Sequence, residues 1–160
     1  MATSQPGSEP TGGFVVFRAA TIFATVQAEF VEEVLTVADV IPLREAPAGV
    51  VGTLDFRHRQ IAVFGVHWKF GLPDPPATAD CQYIVFRAGA MFTALRVDEV
   101  EALATVPRSA FQLLLLPGSG LGLGYLRGVV HIGDRLVPVI DPGQLIPRSV
   151  VDATLGRAAG

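Results

Sequence analysis

The side chains able to do covalent or acid–base chemistry are few and scattered. Asp98, Glu99 and Glu101 form an acidic cluster in a stretch that reads as strand. Paired carboxylates do acid–base work when a cleft drives their pKa values apart. Neighbouring strand residues point to opposite faces, so this cluster reads as a solvated rim. Asp141 ends an apolar run just before Pro142 and suits the cap of a helical turn. His58 and His131 read as turn or strand-surface residues, and His67, beside Trp68, as a core residue. Cys81 is the only cysteine, which excludes an internal disulfide, and three histidines beside it do not make a zinc cluster of the usual kind. No serine lies in a Gly-x-Ser-x-Gly elbow. The glycine-rich run 118–124 invites a nucleotide-loop reading, but such a loop opens a helix whose N-terminus holds the phosphates. Here Tyr125-Leu-Arg-Gly-Val-Val-His-Ile follows, which reads as strand, so the run is a connector. The expectation is a chain with no catalytic residues, no metal and no cofactor.

The elements that position these residues come in two copies. Phe14-Val-Val-Phe-Arg-Ala19 returns as Tyr83-Ile-Val-Phe-Arg-Ala88, 69 residues on. At the same offset Phe23 meets Phe92, Val26 meets Leu95, Val31 meets Val100 and Val34 meets Leu103. Later the offset is 76: Gly52 meets Gly128, Leu54 meets Val130, Ile61 meets Val137, and Val63-Phe64 meets Val139-Ile140. A net insertion within 113–124 accounts for the change. Short apolar runs rich in Val, Ile and aromatics, with turn residues every 8–12 positions, read as strands. Residues 28–34 read as a helical turn or a bulged strand, 66–70 and 142–146 as single helical turns, and 107–115 as a short helix led by Pro107.

At 160 residues, half of them hydrophobic and 17% charged, the chain is too apolar for disorder and long enough for a core. Net charge is −3, with 11 Arg and only Lys69 as basic residues and no basic run, so nucleic acid is not an expected partner. Charges interrupt every apolar stretch before it could span a bilayer, and residues 1–13 lack a signal-peptide pattern, so the expected setting is cytoplasmic. The predicted fold is all-β: two small barrels, one about 14–72 and the other about 81–147. A proline-rich linker, 73–80, joins them, and tails flank them at 1–13 and 148–160. A lone sixty-residue barrel is marginal, so the two should share an apolar interface.

The ordered set of motifs resembles the CheW-like domain family. It comprises Phe23-Ala-Thr-Val, Val31-Glu-Glu-Val34, Ile41-Pro42, Ala46-Pro47, Val51-Gly-Thr-Leu-Asp-Phe-Arg57 and Ile61-Ala-Val-Phe. In the second half stand Met91 to Val100 and the closing hairpin Leu126 to Asp141. The resemblance spans about 14–147. It implies two five-stranded SH3-like barrels and a non-enzymatic adaptor that couples methyl-accepting chemoreceptor tips to the regulatory domain of a CheA-type histidine kinase. It also implies partner contacts at Val31, Glu33, Asp55 and Arg57, with Glu33 and Arg57 as a charge pair. The family's Asn-Leu-Arg-Gly is replaced by Asp55-Phe56-Arg57-His58, and its Pro and Asp-Leu in the following strand by Ala62 and Gly65-Val66, which marks a divergent member. The rival reading is a small-ligand sensory module in the cleft between barrels, with Arg57, Arg96 and Arg127 as anion contacts. An enzyme built on Asp98 and Asp141 ranks third.

Overall fold

A computed structural model describes residues 10–76, 79–88, 90–114 and 124–159. Strands β1 (Thr11–Ala19) and β2 (Ile22–Gln27) form a hairpin. A 3₁₀ turn at Ala28–Phe30 leads to β3 (Val31–Leu35) and the short β4 (Ile41–Pro42). A second hairpin, β5 (Val50–Phe56) and β6 (Arg59–Gly65), runs into the helical turn α1 (Val66–Lys69). The second copy repeats the plan with β7 (Gln82–Ala88), β8 (Met91–Val97), β9 (Glu99–Pro107), β10 (Phe111–Leu113), β11 (Leu126–Ile132), β12 (Arg135–Ile140) and α2 (Pro142–Leu145). Asp141 caps α2, its Oδ1 accepting from the Gly143 N–H at 3.0 Å, with Pro142 in the first turn.

The two sheets do not follow the two halves of the chain. One runs β10-β11-β12-β2-β1-β9, the other β3-β7-β8-β6-β5-β4. The units have exchanged their first hairpins. Each of the two six-stranded sheets therefore holds strands from both halves of the chain. The reason is visible in the repeat itself: both copies carry the same apolar pattern, so pattern cannot say which hairpin joins which partner. The registers obey the two offsets. Val26 lies opposite Ile140 in parallel pairing, and Leu95 lies opposite Phe64. Both edge strands bulge at the same place, leaving Glu101 unpaired on β9 and Glu32 unpaired on β3.

Alternation divides the core in three. Along β6, Ile61 and Val63 enter one sheet's own cluster with Leu54, Phe56, Val85 and Ala94. Ala62 and Phe64 point the other way, into a shared cluster with Phe17, Ile84, Phe86, Leu95 and Ile140. Phe14, Val130, Val137 and Val139 fill the second sheet. Both sheets are thus covered on two faces, which is why their strands read as near-continuous apolar runs.

Two expectations at the C-terminal side change. The described part of 107–115, up to Leu114, holds a 3₁₀ turn at Arg108–Ala110 followed by β10 in place of the expected helix. The expected tail 148–160 holds helix α3 (Arg148–Ala159), which packs on β5 and β6 and buries Val151 and Thr154. Its apolar face is narrow, so its periodicity is weak in the sequence. The run 118–124 lies outside the described residues except for Gly124.

The β5–β6 turn keeps the geometry that a glycine would favour. Arg57 and His58 both adopt positive φ, +51° and +65°, as a two-residue type I′ hairpin requires. A side chain there costs about 1 kcal/mol. His58→Gly is expected to raise the melting temperature by roughly 2–4 °C in a thermal unfolding scan. An unchanged or lower midpoint would show the imidazole contributing something that offsets the strain.

Candidate functional site

The bulge at Glu32 decides the chemistry of one edge. Val31 lies opposite Phe86 and Glu33 opposite Val85, so Glu32 is freed from the ladder at the outer rim of β3. The β5–β6 turn brings Arg57 to meet it. Arg57 donates from Nη1 to Glu32 Oε2 at 2.7 Å and from Nη2 to Glu33 Oε1 at 3.5 Å. Arg87, on β7, donates from Nη2 to the other Glu32 oxygen at 3.1 Å. Beneath this network Phe56 and Phe92 meet edge to face, their centroids 5.3 Å apart. The Arg57 guanidinium stands 4.7 Å from the Phe56 ring and 5.9 Å from Phe92, and Arg87 stands 5.9 Å from Phe92.

The hydrogen bond from Arg57, aided by the charges of Arg57 and Arg87, holds the Glu32 carboxyl below its ordinary range. The Glu32 hydrogen bond raises Arg57 in turn. Both groups stay ionised across physiological pH, the opposite of what proton transfer needs. Among the described residues no group of His, Cys, Asp or Glu could hold a metal ion. The arrangement suits recognition: a rigid, planar, charged tip beside an open sheet edge.

Of the four residues anticipated as partner contacts, three meet in space. Glu33, Asp55 and Arg57 rim a groove of about 500 Å³, completed by Leu35, Val37 and Asp39. Val37 is 84% exposed, an apolar side chain offered to solvent at the groove's lip. Val31 is half-buried and packs against the shared core, so its backbone rather than its side chain belongs to the outer face. Sequence reasoning missed Glu32, Arg87 and Phe92. The signal for Arg87 and Phe92 was in the repeat, which aligns them with Arg18 and Phe23. The Glu32 role depends on the bulge, which shifts side-chain parity by one residue.

The three arginines of the ligand-module reading do not converge. Arg57 is tied to Glu32, Arg96 lies 3.7 Å from Asp74, and Arg127 lies 3.8 Å from Asp141 in the other sheet. A cavity of about 620 Å³ opens between Phe14, Gln27, Arg108, Phe111 and Arg127. It holds one of the three arginines and none of the groups that form the Arg57 network.

The acidic cluster is not a solvated rim throughout. Asp98 accepts from the Ala20 N–H at 2.6 Å and lies 3.0 Å from Nε2 of His67, whose side chain is 2% exposed. His67 is a core residue, as expected, with the Asp98 carboxylate within hydrogen-bonding distance. Asp98 thereby ties α1 to the exchanged β1–β2 turn.

Comparison with known proteins agrees with this architecture. The family model of the CheW-like domain matches residues 13–150. A curated relative, the chemotaxis protein CheW of Treponema pallidum (strain Nichols), is 25% identical over 119 residues, covering 72% of this chain and 70% of the relative. The crystal structure of the scaffolding protein TtCheW from Thermoanaerobacter tengcongensis superposes with a TM-score of 0.76 at 19% identity, covering 86% of this chain and 94% of that one. That last likeness concerns the fold.

Proposed function

The chain belongs to the CheW-like domain family, and from that premise we propose that it is a non-enzymatic coupling adaptor of bacterial chemosensory signalling. It links chemoreceptors to the regulatory domain of a CheA-type histidine kinase. The observation that carries the reading is the family match across 13–150, to which the Arg57–Glu32–Glu33 tip supplies a surface fit for protein recognition. No helix among the described residues is long and apolar enough to cross a membrane; a cytoplasmic setting follows from the coupling role. The comparisons favour this adaptor over a small-ligand module.

The proposed kinase contact is the β3 edge with Glu33, Asp55 and Arg57, supported by Val31 from within. Apolar surface at Val37 and Leu35 supplies the burial, and the charged tip supplies register. The divergence at Asp55-Phe56-Arg57-His58 acts here: Phe56 provides the shelf for the Arg57 guanidinium, and Asp55 adds a carboxylate to the rim.

Calorimetric titration with the regulatory domain of the kinase from the same cell tests the reading. Saturable binding with a negative ΔCp is expected, because apolar surface is removed from water. Absence of any heat of binding up to about 100 μM would overturn the kinase contact.

A further inference from the structure

Away from the Arg57 tip, one cation is poorly answered by its surroundings. The Arg96 side chain, on β8, is only 15% exposed, so its guanidinium is largely stripped of water. Its Nε is sealed from solvent with no hydrogen-bond partner among the described residues. Among the described residues its Nη2 pairs with Asp74, 3.7 Å away in the connector between units, and that aspartate is itself 76% exposed. A Cβ at Gly65 would stand 3.2 Å from the same Nη2, so the guanidinium is confined against the backbone of β6. A desolvated arginine with one loose, hydrated counter-ion favours a better-placed carboxylate, because its planar fork pairs with that group most strongly.

The space next to Arg96 fits such a visitor. A groove of about 340 Å³ runs between Val50 and Val51, Trp68, and Asp74 with Pro75. Trp68 is 50% exposed, and its position is fixed by an edge-on contact with Phe64, centroids 6.0 Å apart. The groove's charged lining is Arg96 and the loosely held Asp74, with the Lys69 ammonium outside it, 5.9 Å from the Trp68 ring and 5.5 Å from Tyr125. The pairing of a half-exposed Trp with a partly buried Arg is typical of residues that dominate protein interfaces. The other repeat unit has no equivalent: Tyr83 faces Arg96 where Phe14 faces Gln27.

We propose that this groove docks an acidic segment of a protein partner, one that presents a carboxylate side chain beside an apolar one. The carboxylate takes the place of Asp74 on Arg96, and the apolar side chain lies on Trp68. Charge complementarity selects this occupant. The groove sits at the opposite end of β5 from Arg57, about 20 Å along the strand, and does not rest on the kinase reading.

Trp68 is the only tryptophan, so its fluorescence reports the groove directly. The full chain is titrated with the peptide acetyl-Leu-Glu-Leu-amide and with its glutamine counterpart. The glutamate peptide should give a saturable change and bind about five-fold more tightly than the glutamine peptide. Arg96→Met should erase that preference. Asp74→Asn should tighten the glutamate peptide about two-fold by removing the internal competitor, an effect that a purely structural Asp74 would not produce. Should Arg96→Met fail to fold, Asp74→Asn decides alone, since a surface pair contributes little stability. No saturation by about 10 mM, equal affinity for the two peptides, or weaker binding by Asp74→Asn overturns the site. Sodium acetate reproducing the peptide's effect at the same concentration overturns protein docking in favour of a simple anion site.

Discussion

Asp98→Ala is expected to lower the unfolding free energy by about 3 kcal/mol and the melting temperature by roughly 6–12 °C. Two orphaned groups account for this. The Ala20 N–H loses an acceptor at 2.6 Å, and the His67 ring, 2% exposed, loses its one partner among the described residues, at 3.0 Å. The Nδ1 of His67 already has no partner. The Asp98 carboxylate therefore answers the Nε2 edge of the ring alone. Asp98→Asn gives a sharper test. Its oxygen can still accept from Ala20, but a neutral amide replaces the charged acceptor opposite Nε2 of His67. It should therefore cost less than the alanine but more than about 1 kcal/mol in chemical denaturation. Equal stability of all three proteins would show the knot to be idle.

The pH dependence follows from the same contacts. Burial pushes the Asp98 carboxyl up, but the Ala20 N–H, the His67 hydrogen bond and charge, and Arg18 together outweigh it and hold the group below its ordinary value. A carboxyl depressed by folding stabilises fully above its unfolded pKa, near 4, and loses that contribution as pH falls through the folded value. The gap between the parent and Asp98→Ala should thus be complete at pH 7 and shrink below about pH 4. A gap that widens in acid would reverse the sign of the argument.

The strands, their turns and the repeat were legible because apolar alternation and offset are local properties of the sequence. The registers β2–β12 and β6–β8 even reproduce the offsets of 69 and 76. The hairpin exchange was not legible, since two units with one apolar pattern specify pairing only through packing across the shared core. The bulge at Glu32 and the Asp98–His67 contact were hidden for related reasons. The first depends on a one-residue slip that flips side-chain parity. The second joins residues that the repeat does not pair, as Asp98 aligns with Glu29 and His67 with Gly143. The sequence suggests a Glu33–Arg57 pair; in the structure Arg57 is nearer Glu32, at 2.7 Å, than Glu33, at 3.5 Å.

Arg57→Glu should weaken binding to the kinase regulatory domain by about 100-fold while moving the melting temperature by no more than about 3 °C. The side chain is 52% exposed, so the protein loses little when it goes. The partner, by contrast, meets a reversed charge next to Glu32 and Glu33, with Arg87 left to offset three carboxylates. Arg57→Lys keeps the charge but loses the planar fork and its stacking on Phe56, and should fall between the two. The exchange Arg57→Glu with Glu32→Arg separates the two roles that Arg57 can have. Were the arginine there only to neutralise Glu32, the swapped pair would restore binding. If its guanidinium itself reaches the partner, the swap restores the internal ion pair and leaves binding lost, and that second outcome is the one the exposed tip predicts. Full affinity in Arg57→Glu would remove the contact from the β5–β6 tip while leaving the fold and the family untouched.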